Sequence, residues 1–119
     1  PFLNAIGAVK SSDLLSLRSQ SEVLVAGIKV AMQTPPVRSG RRVIFLTLDD
    51  GYGRTDSTFF SSAQEGFAST LYSSSILLVR GKTRRTGDRG ISINANGAWD
   101  LRAAYEKWSR QLVQQAIQR

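Results

Sequence analysis

Ile44, Leu46 and Leu48 alternate with Val43, Phe45, Thr47 and Asp49, and the run ends at Asp50-Gly51-Tyr52-Gly53. Successive side chains of a strand point to opposite faces, so this segment is a strand with one wholly aliphatic face and one mixed face. A helix would scatter the same aliphatic residues around its circumference. A slip of one residue would turn every aliphatic side chain to water, so the register is pinned. The two glycines permit positive φ, which gives a tight turn and a returning strand. Ile44, Leu46 and Leu48 are therefore expected in a core. Phe45 is expected on a partly polar outer surface, where an aromatic ring can stack on a base.

The rest of the chain has the same texture. Glu22 to Met32 is rich in β-branched residues and is broken by Gly27, as a bulge or sharp bend requires. Thr34-Pro35-Pro36-Val37-Arg38-Ser39-Gly40 reads as a loop, and the second strand as Arg41 to Asp49. Arg54 to Phe60 is a third strand. Ser61-Ser62-Ala63-Gln64-Glu65 opens a short helix that runs to about Tyr72. Ser75 to Arg85 is a fourth strand, Thr86-Gly87-Asp88-Arg89-Gly90 a compact turn, and Ile91 to Asn96 a fifth strand. Asp100 is the expected N-cap of a last helix, with Leu101, Tyr105, Trp108 and Leu112 on one face. Ahead of the strands, Ile6, Val9, Leu14, Leu15 and Leu17 suit short helical turns, the second capped by Ser12-Asp13.

The expected organisation is a linker with helical turns over 1–21, a barrel over 22–98 and a C-terminal helix over 99–119. The chain begins Pro1-Phe2-Leu3 without Met and reads as a domain excised from a longer protein. Short strands joined by glycine turns, with a helix between the third and fourth, match a mainly β, five-stranded Greek-key barrel of OB type. An SH3-like barrel is the nearest competitor, and it usually lacks a helix at that point.

Composition narrows the chemistry. The 119 residues suit one domain. There is neither Cys nor His, which excludes thiolate and imidazole metal sites, disulfides, Cys nucleophiles and triads built on an imidazole base. Adjacent Asp49 and Asp50 point to opposite faces of a strand, so Asp50 is expected to brace the turn instead of sharing a metal. No catalytic residue, metal, cofactor or small-molecule substrate is expected. No membrane span or signal sequence is visible, and a cytoplasmic location is expected.

Sixteen Lys and Arg against nine Asp and Glu give +7, which points to an anionic partner. From Ser74 to Gly90 five basic residues stand against one acidic. Arg80, Lys82 and Arg84 share a strand face, and Arg85 and Arg89 continue toward the hairpin. Arg38, Arg41 and Arg42 lie in or beside the loop between strands one and two. In OB barrels these two loops flank the binding face. On the first strand Ile28, Val30 and Met32 share one side, and Lys29 on the other is expected near Phe45. The third strand puts Arg54, Asp56 and Thr58 together. The candidate nucleic-acid-binding residues are Lys29, Arg38, Arg41, Phe45, Arg54, Arg80, Lys82, Arg84, Arg85 and Arg89. Asp49 and Asp56 place negative charge near the same face.

Leu24-Val25-Ala26-Gly27-Ile28-Lys29-Val30, Gln33-Thr34-Pro35-Pro36 and Arg38-Ser39-Gly40-Arg41-Arg42-Val43-Ile44-Phe45-Leu46-Thr47-Leu48-Asp49-Asp50-Gly51 together resemble the OB domain of the bacterial DNA polymerase III alpha subunit. Leu77-Leu78-Val79-Arg80-Gly81 and Arg84-Arg85-Thr86-Gly87 fit the same family. The Thr-Pro-Pro and Arg-Arg-Thr-Gly elements look most like the error-prone alpha-subunit homologue of actinobacteria. The resemblance spans about residues 14 to 105. It implies a domain near the C-terminal end of a DNA-directed DNA polymerase, after a helix-hairpin-helix region, that contacts single-stranded template. It implies no catalytic carboxylate here, because the family's lie in a distant palm domain. The implied role is in replication and translesion synthesis, and the implied partners are single-stranded DNA and the other domains of the parent polymerase. Two other readings are a protein-docking module, using the face of Leu101, Tyr105, Trp108 and Leu112, and a tRNA anticodon-binding OB domain, which shares the Leu-Asp-Asp-Gly motif.

Overall fold

The computed structural model describes residues 2–18, 20–34, 43–60, 66–85 and 90–117. Within them, α1 is Phe2–Ala5 and a 3-10 helix covers Ser11–Ser16. The strands are β1 (Glu22–Gln33), β2 (Ile44–Asp49), β3 (Arg54–Phe59), β4 (Ile76–Arg85) and β5 (Ile91–Asp100). Helix α2 (Ala68–Ser73) lies between β3 and β4, and α3 (Leu101–Ile117) closes the chain. The strands form a closed barrel in the order β1-β2-β3-β5-β4, with β3 and β5 parallel and every other pair antiparallel. The five-stranded OB-type barrel, its intervening helix and its C-terminal helix are all present.

Alternation builds the core as the residues dictate. Ile44, Leu46 and Leu48 point inward, as do Val23 and Val25 of β1, Phe59 of β3, Leu77 and Val79 of β4, and Ile93 and Ala95 of β5. Each fully buried Leu or Ile contributes about 2–3 kcal/mol, so this one layer is the main stabilising term. Leu71 of α2 and Leu14 of the 3-10 helix join the same cluster at 0% and 1% exposure. Val9 and Leu17 pack against it, and the Val9 N–H donates to the Leu24 carbonyl. Part of segment 1–21 is thus built into the barrel.

Strand β1 serves two neighbours. Glu22–Ile28 pair with β4, and Ile28–Gln33 pair with β2. Gly27 sits at the handover, where a Cβ would lie 2.9 Å from the Asp49 carbonyl oxygen and 3.1 Å from Leu48 Cβ. The expected bend at glycine is a close approach of backbones. The register shift between Lys29 and Ala31 corrects one expectation. Strict alternation kept Ile28, Val30 and Met32 together, but the extra residue leaves Ile28 and Val30 exposed while Met32 packs on the core.

Several boundaries also move. Strand β5 continues four residues past Asn96, because a shift between Arg80 and Gly81 lets Gly97–Asp100 stay paired with Leu77–Arg80. Helix α2 starts at Ala68 behind Phe67, which supplies no side-chain cap; the serine-rich start expected at Ser61–Glu65 lies outside the described residues. Ser12 and Asp13 fall inside the 3-10 helix, and Lys10 is the capping position, again without a side-chain bond. Asp100 does cap α3, accepting from the Ala103 N–H at 3.0 Å.

Candidate nucleic-acid interface

The outer face of the barrel is read directly from the pairing register. Gln33 of β1 pairs with Phe45 of β2, Phe45 with Thr58 of β3, Thr58 with Asn94 of β5, and Asn94 with Lys82 of β4. Paired residues share a face, so these five side chains form one row across the outside of the barrel. Strands are spaced about 4.8 Å apart, so Phe45 and Lys82 lie roughly 14 Å apart along the surface, about two nucleotides of extended single strand. The row contains an exposed aromatic ring, a hydroxyl, an amide and an ammonium. Its carboxylate neighbour along this rung is Glu22 of β1, the exposed cross-strand partner of Lys82 on the far side of β4.

The neighbouring row differs. Ala31, Thr47, Asp56, Ser92 and Arg84 follow one another through the same strands. Asp56 carries its negative charge, and its Oδ1 accepts from Thr47 Oγ1 at 2.8 Å. A third rung pairs Asp49 with Arg54 and Ile28. Asp49 also accepts from the Gly51 N–H at 2.8 Å. Asp50 is bound to the Ser11 N–H at 2.7 Å, the Ser11 hydroxyl at 2.8 Å and the Tyr52 N–H at 2.9 Å. Both acids brace the turn. Burial pushes the Asp50 carboxyl up, but the bonds donated by Ser11 and Tyr52 outweigh it and hold the carboxyl below the usual range. Among the described residues no group of three or more Asp, Glu, His or Cys is placed to hold a metal ion.

The expected cations do not all reach this face. Arg54, Lys82 and Arg84 are exposed, and among the described residues no ion pair or hydrogen bond holds their side chains. Arg80 is exposed but engaged: its Nε donates to Asn96 Oδ1 at 2.9 Å, and its guanidinium lies 5.3 Å from the Trp99 ring centre. Arg85 donates to the Leu17 carbonyl at 3.0 Å. Lys29 is not beside Phe45. It pairs with Leu48, and its Nζ donates to the Leu71 and Tyr72 carbonyls at the end of α2. Bare carbonyls at a helix C-terminus attract a cation, which explains the capture. Arg38, Arg41 and Arg89 lie outside the described residues.

Thr58 was legible as an outer-face residue, but its partnership with Asn94 was not. That contact arises from the parallel β3–β5 pairing, a closure of the barrel that no local pattern announces. The exposure of Ile28 and Val30 was also missed, because a bulge inverts alternation without altering composition.

A family model described as an OB-fold nucleic acid binding domain matches residues 23–101. The chain is 31% identical over 96 residues to the DNA polymerase III subunit alpha of Vibrio cholerae, a match covering 80% of this chain and 8% of that protein. It is 32% identical over 102 residues to the error-prone DNA polymerase of Caulobacter vibrioides, covering 86% of this chain and 9% of that protein. The chain thus spans less than a tenth of the length of these curated relatives. The solved structure of an OBody bound to hen egg-white lysozyme aligns with a TM-score of 0.53 at 17% identity, covering 70% of this chain and 81% of that one. That likeness concerns the fold alone.

Proposed function

The chain belongs to the family of OB-fold nucleic acid binding domains, and from that premise we propose that it is a single-stranded DNA binding module of an error-prone, alpha-type DNA polymerase. The observation that carries the reading is the outer row from Phe45 through Thr58 and Asn94 to Lys82. Phe45 stacks on a base, which is worth about 1–3 kcal/mol and tolerates any sequence. Lys82, with Arg84 one pleat further along β4, holds the phosphates that follow. Thr58 and Asn94 offer donors and acceptors to base edges between these two ends. Asp56, one row away, repels a backbone that strays toward it and so keeps the strand in register. The module positions template; the polymer-forming chemistry belongs to other parts of the parent polymerase. Similarity to DNA polymerase III alpha and error-prone polymerase chains supports DNA as the nucleic acid and replication or translesion synthesis as the setting.

Fluorescence anisotropy with a labelled oligodeoxynucleotide tests this. Affinity should fall with salt, with a log–log slope of about −0.7 per phosphate neutralised. The double variant Lys82→Ala, Arg84→Ala should flatten the slope by about 1–1.5. Phe45→Ala should weaken binding about tenfold with the slope unchanged. Absence of binding at low salt, or a slope indifferent to Lys82 and Arg84, contradicts the assignment. Tighter binding of the matching oligoribonucleotide would favour an RNA ligand instead.

A further inference from the structure

The two tryptophans of the chain, Trp99 at the end of β5 and Trp108 on α3, line one groove between α3 and the barrel. Leu24 and Leu78 form its floor, and Arg80 and Lys107 stand at its rim. The groove has a volume of about 410 Å³, within the range of small-ligand sites. Neither Asp nor Glu lines it.

The walls are rigid for good reason. Phe2 packs on Trp108 with ring centres 5.1 Å apart, and on Tyr105 at 5.4 Å nearly edge-on. Phe67 meets Trp99 at 5.8 Å, again edge-on. Such pairs lock ring orientation. Helix α3 is therefore tied to Phe2 of α1 through Tyr105 and Trp108, and the groove is the space between this cluster and the barrel strands. An aromatic cleft with a cationic, carboxylate-free rim is complementary to one kind of occupant: a flat aromatic group that carries a negative charge. Aliphatic peptide segments would gain from the floor but leave both cations unused.

We infer that this groove is a second stacking station for single-stranded nucleic acid, taking one base against Trp108 and the Arg80–Trp99 pair with its phosphate on Lys107. The choice of ligand rests on the single-strand reading above; the site itself does not. Its position agrees with that reading. Arg80 lies two residues from Lys82 on the outer face of β4, so a strand leaving the Phe45–Lys82 row along β4 reaches the groove within about one nucleotide. The Arg80 guanidinium, 5.3 Å from the centre of the Trp99 ring, then serves as one surface of the stack and not as a free phosphate ligand.

Because Trp99 and Trp108 are the only tryptophans, indole emission reports on the groove alone, while anisotropy of a labelled oligonucleotide reports on all binding. Both are read in one titration of the 119-residue chain with a dodecamer of deoxythymidine. The expected result is saturable quenching of emission by about a third, at concentrations tracking the anisotropy change. Lys107→Glu, an exposed substitution with little risk to folding, should raise the concentration for half-maximal quenching about tenfold. Phe45→Ala should weaken the anisotropy signal more than the quenching. Anisotropy binding with unchanged emission overturns the groove and leaves the Phe45 face standing. Quenching indifferent to Lys107→Glu overturns it as well. Neither signal at low salt overturns both readings.

Discussion

Asp50 shows how one side chain joins parts of the fold that are distant in sequence. Its Oδ1 accepts from the Ser11 hydroxyl and the Tyr52 N–H, and its Oδ2 from the Ser11 N–H. Lys10, next to Ser11, lies 4.6 Å from the centre of the Tyr52 ring. The N-terminal segment is thereby fixed to the β2–β3 turn. Asp50→Asn keeps the shape but sets an amide N–H₂ against a donor, and should cost about 1–2 kcal/mol, read as a lower urea midpoint. The pH dependence follows from the direction of the shift. A carboxyl held low in the folded state stabilises the fold above its unfolded value, near 3.9, and that contribution disappears as pH falls through the folded value. Asp100 behaves alike, because the Ala103 N–H and Ser74 hydroxyl donate to it. Thermal melts should therefore change little between about pH 7 and 5 from these two groups and fall below about pH 4. Asp50→Asn should show a smaller acid-side loss than the parent chain. Lys29 teaches the complementary lesson: its residue type was legible as a cation, but its destination depended on where α2 ends.

At the scale of elements, alternation and the glycine turn between β2 and β3 were reliable signals, and the bulge was the hidden one. The inward face of β2 follows its aliphatic residues one by one, whereas on β3 the polar Thr55 and Ser57 turn inward beside Phe59 through their register with Leu48, Leu46 and Ile44. Strands β1 and β5 ran past what pattern alone allows, since bulges next to Lys29 and Arg80 change which face a residue occupies. Bulges belong to the pairing and not to the single strand, so no reading of one segment could find them. Gly81 makes this testable. A Cβ there would collide with the Asn94 carbonyl oxygen and lie 2.6 Å from Ile93 Cγ2 and 2.8 Å from Ala95 Cα. Two of these atoms are backbone and cannot step aside. Gly81→Ala should cost about 2–3 kcal/mol, measured by chemical denaturation, and should loosen the β4–β5 pairing that sets Lys82 opposite Asn94. Removing the α3 cap with Asp100→Ala should cost only about 1 kcal/mol.

For the whole molecule, the barrel order β1-β2-β3-β5-β4 is what turns scattered residues into a surface. Phe45, Thr58, Asn94 and Lys82 come from four strands and become neighbours only through closure. The basic character of the fourth strand was evident from the chain, but its division was not: Arg80 faces Trp99 and the α3 groove, while Lys82 and Arg84 face the Phe45 side. The most direct measurement of the central claim is a map of backbone amide shifts by nuclear magnetic resonance as an unlabelled single-stranded oligodeoxynucleotide is added at low salt. The largest changes are expected at Phe45, Thr58, Asn94 and Lys82, with Lys29 and the inward-facing residues of β2 little affected. Changes confined to the exposed Ile28 and Val30 edge, or spread evenly over the surface with none at the Phe45–Lys82 row, would contradict it.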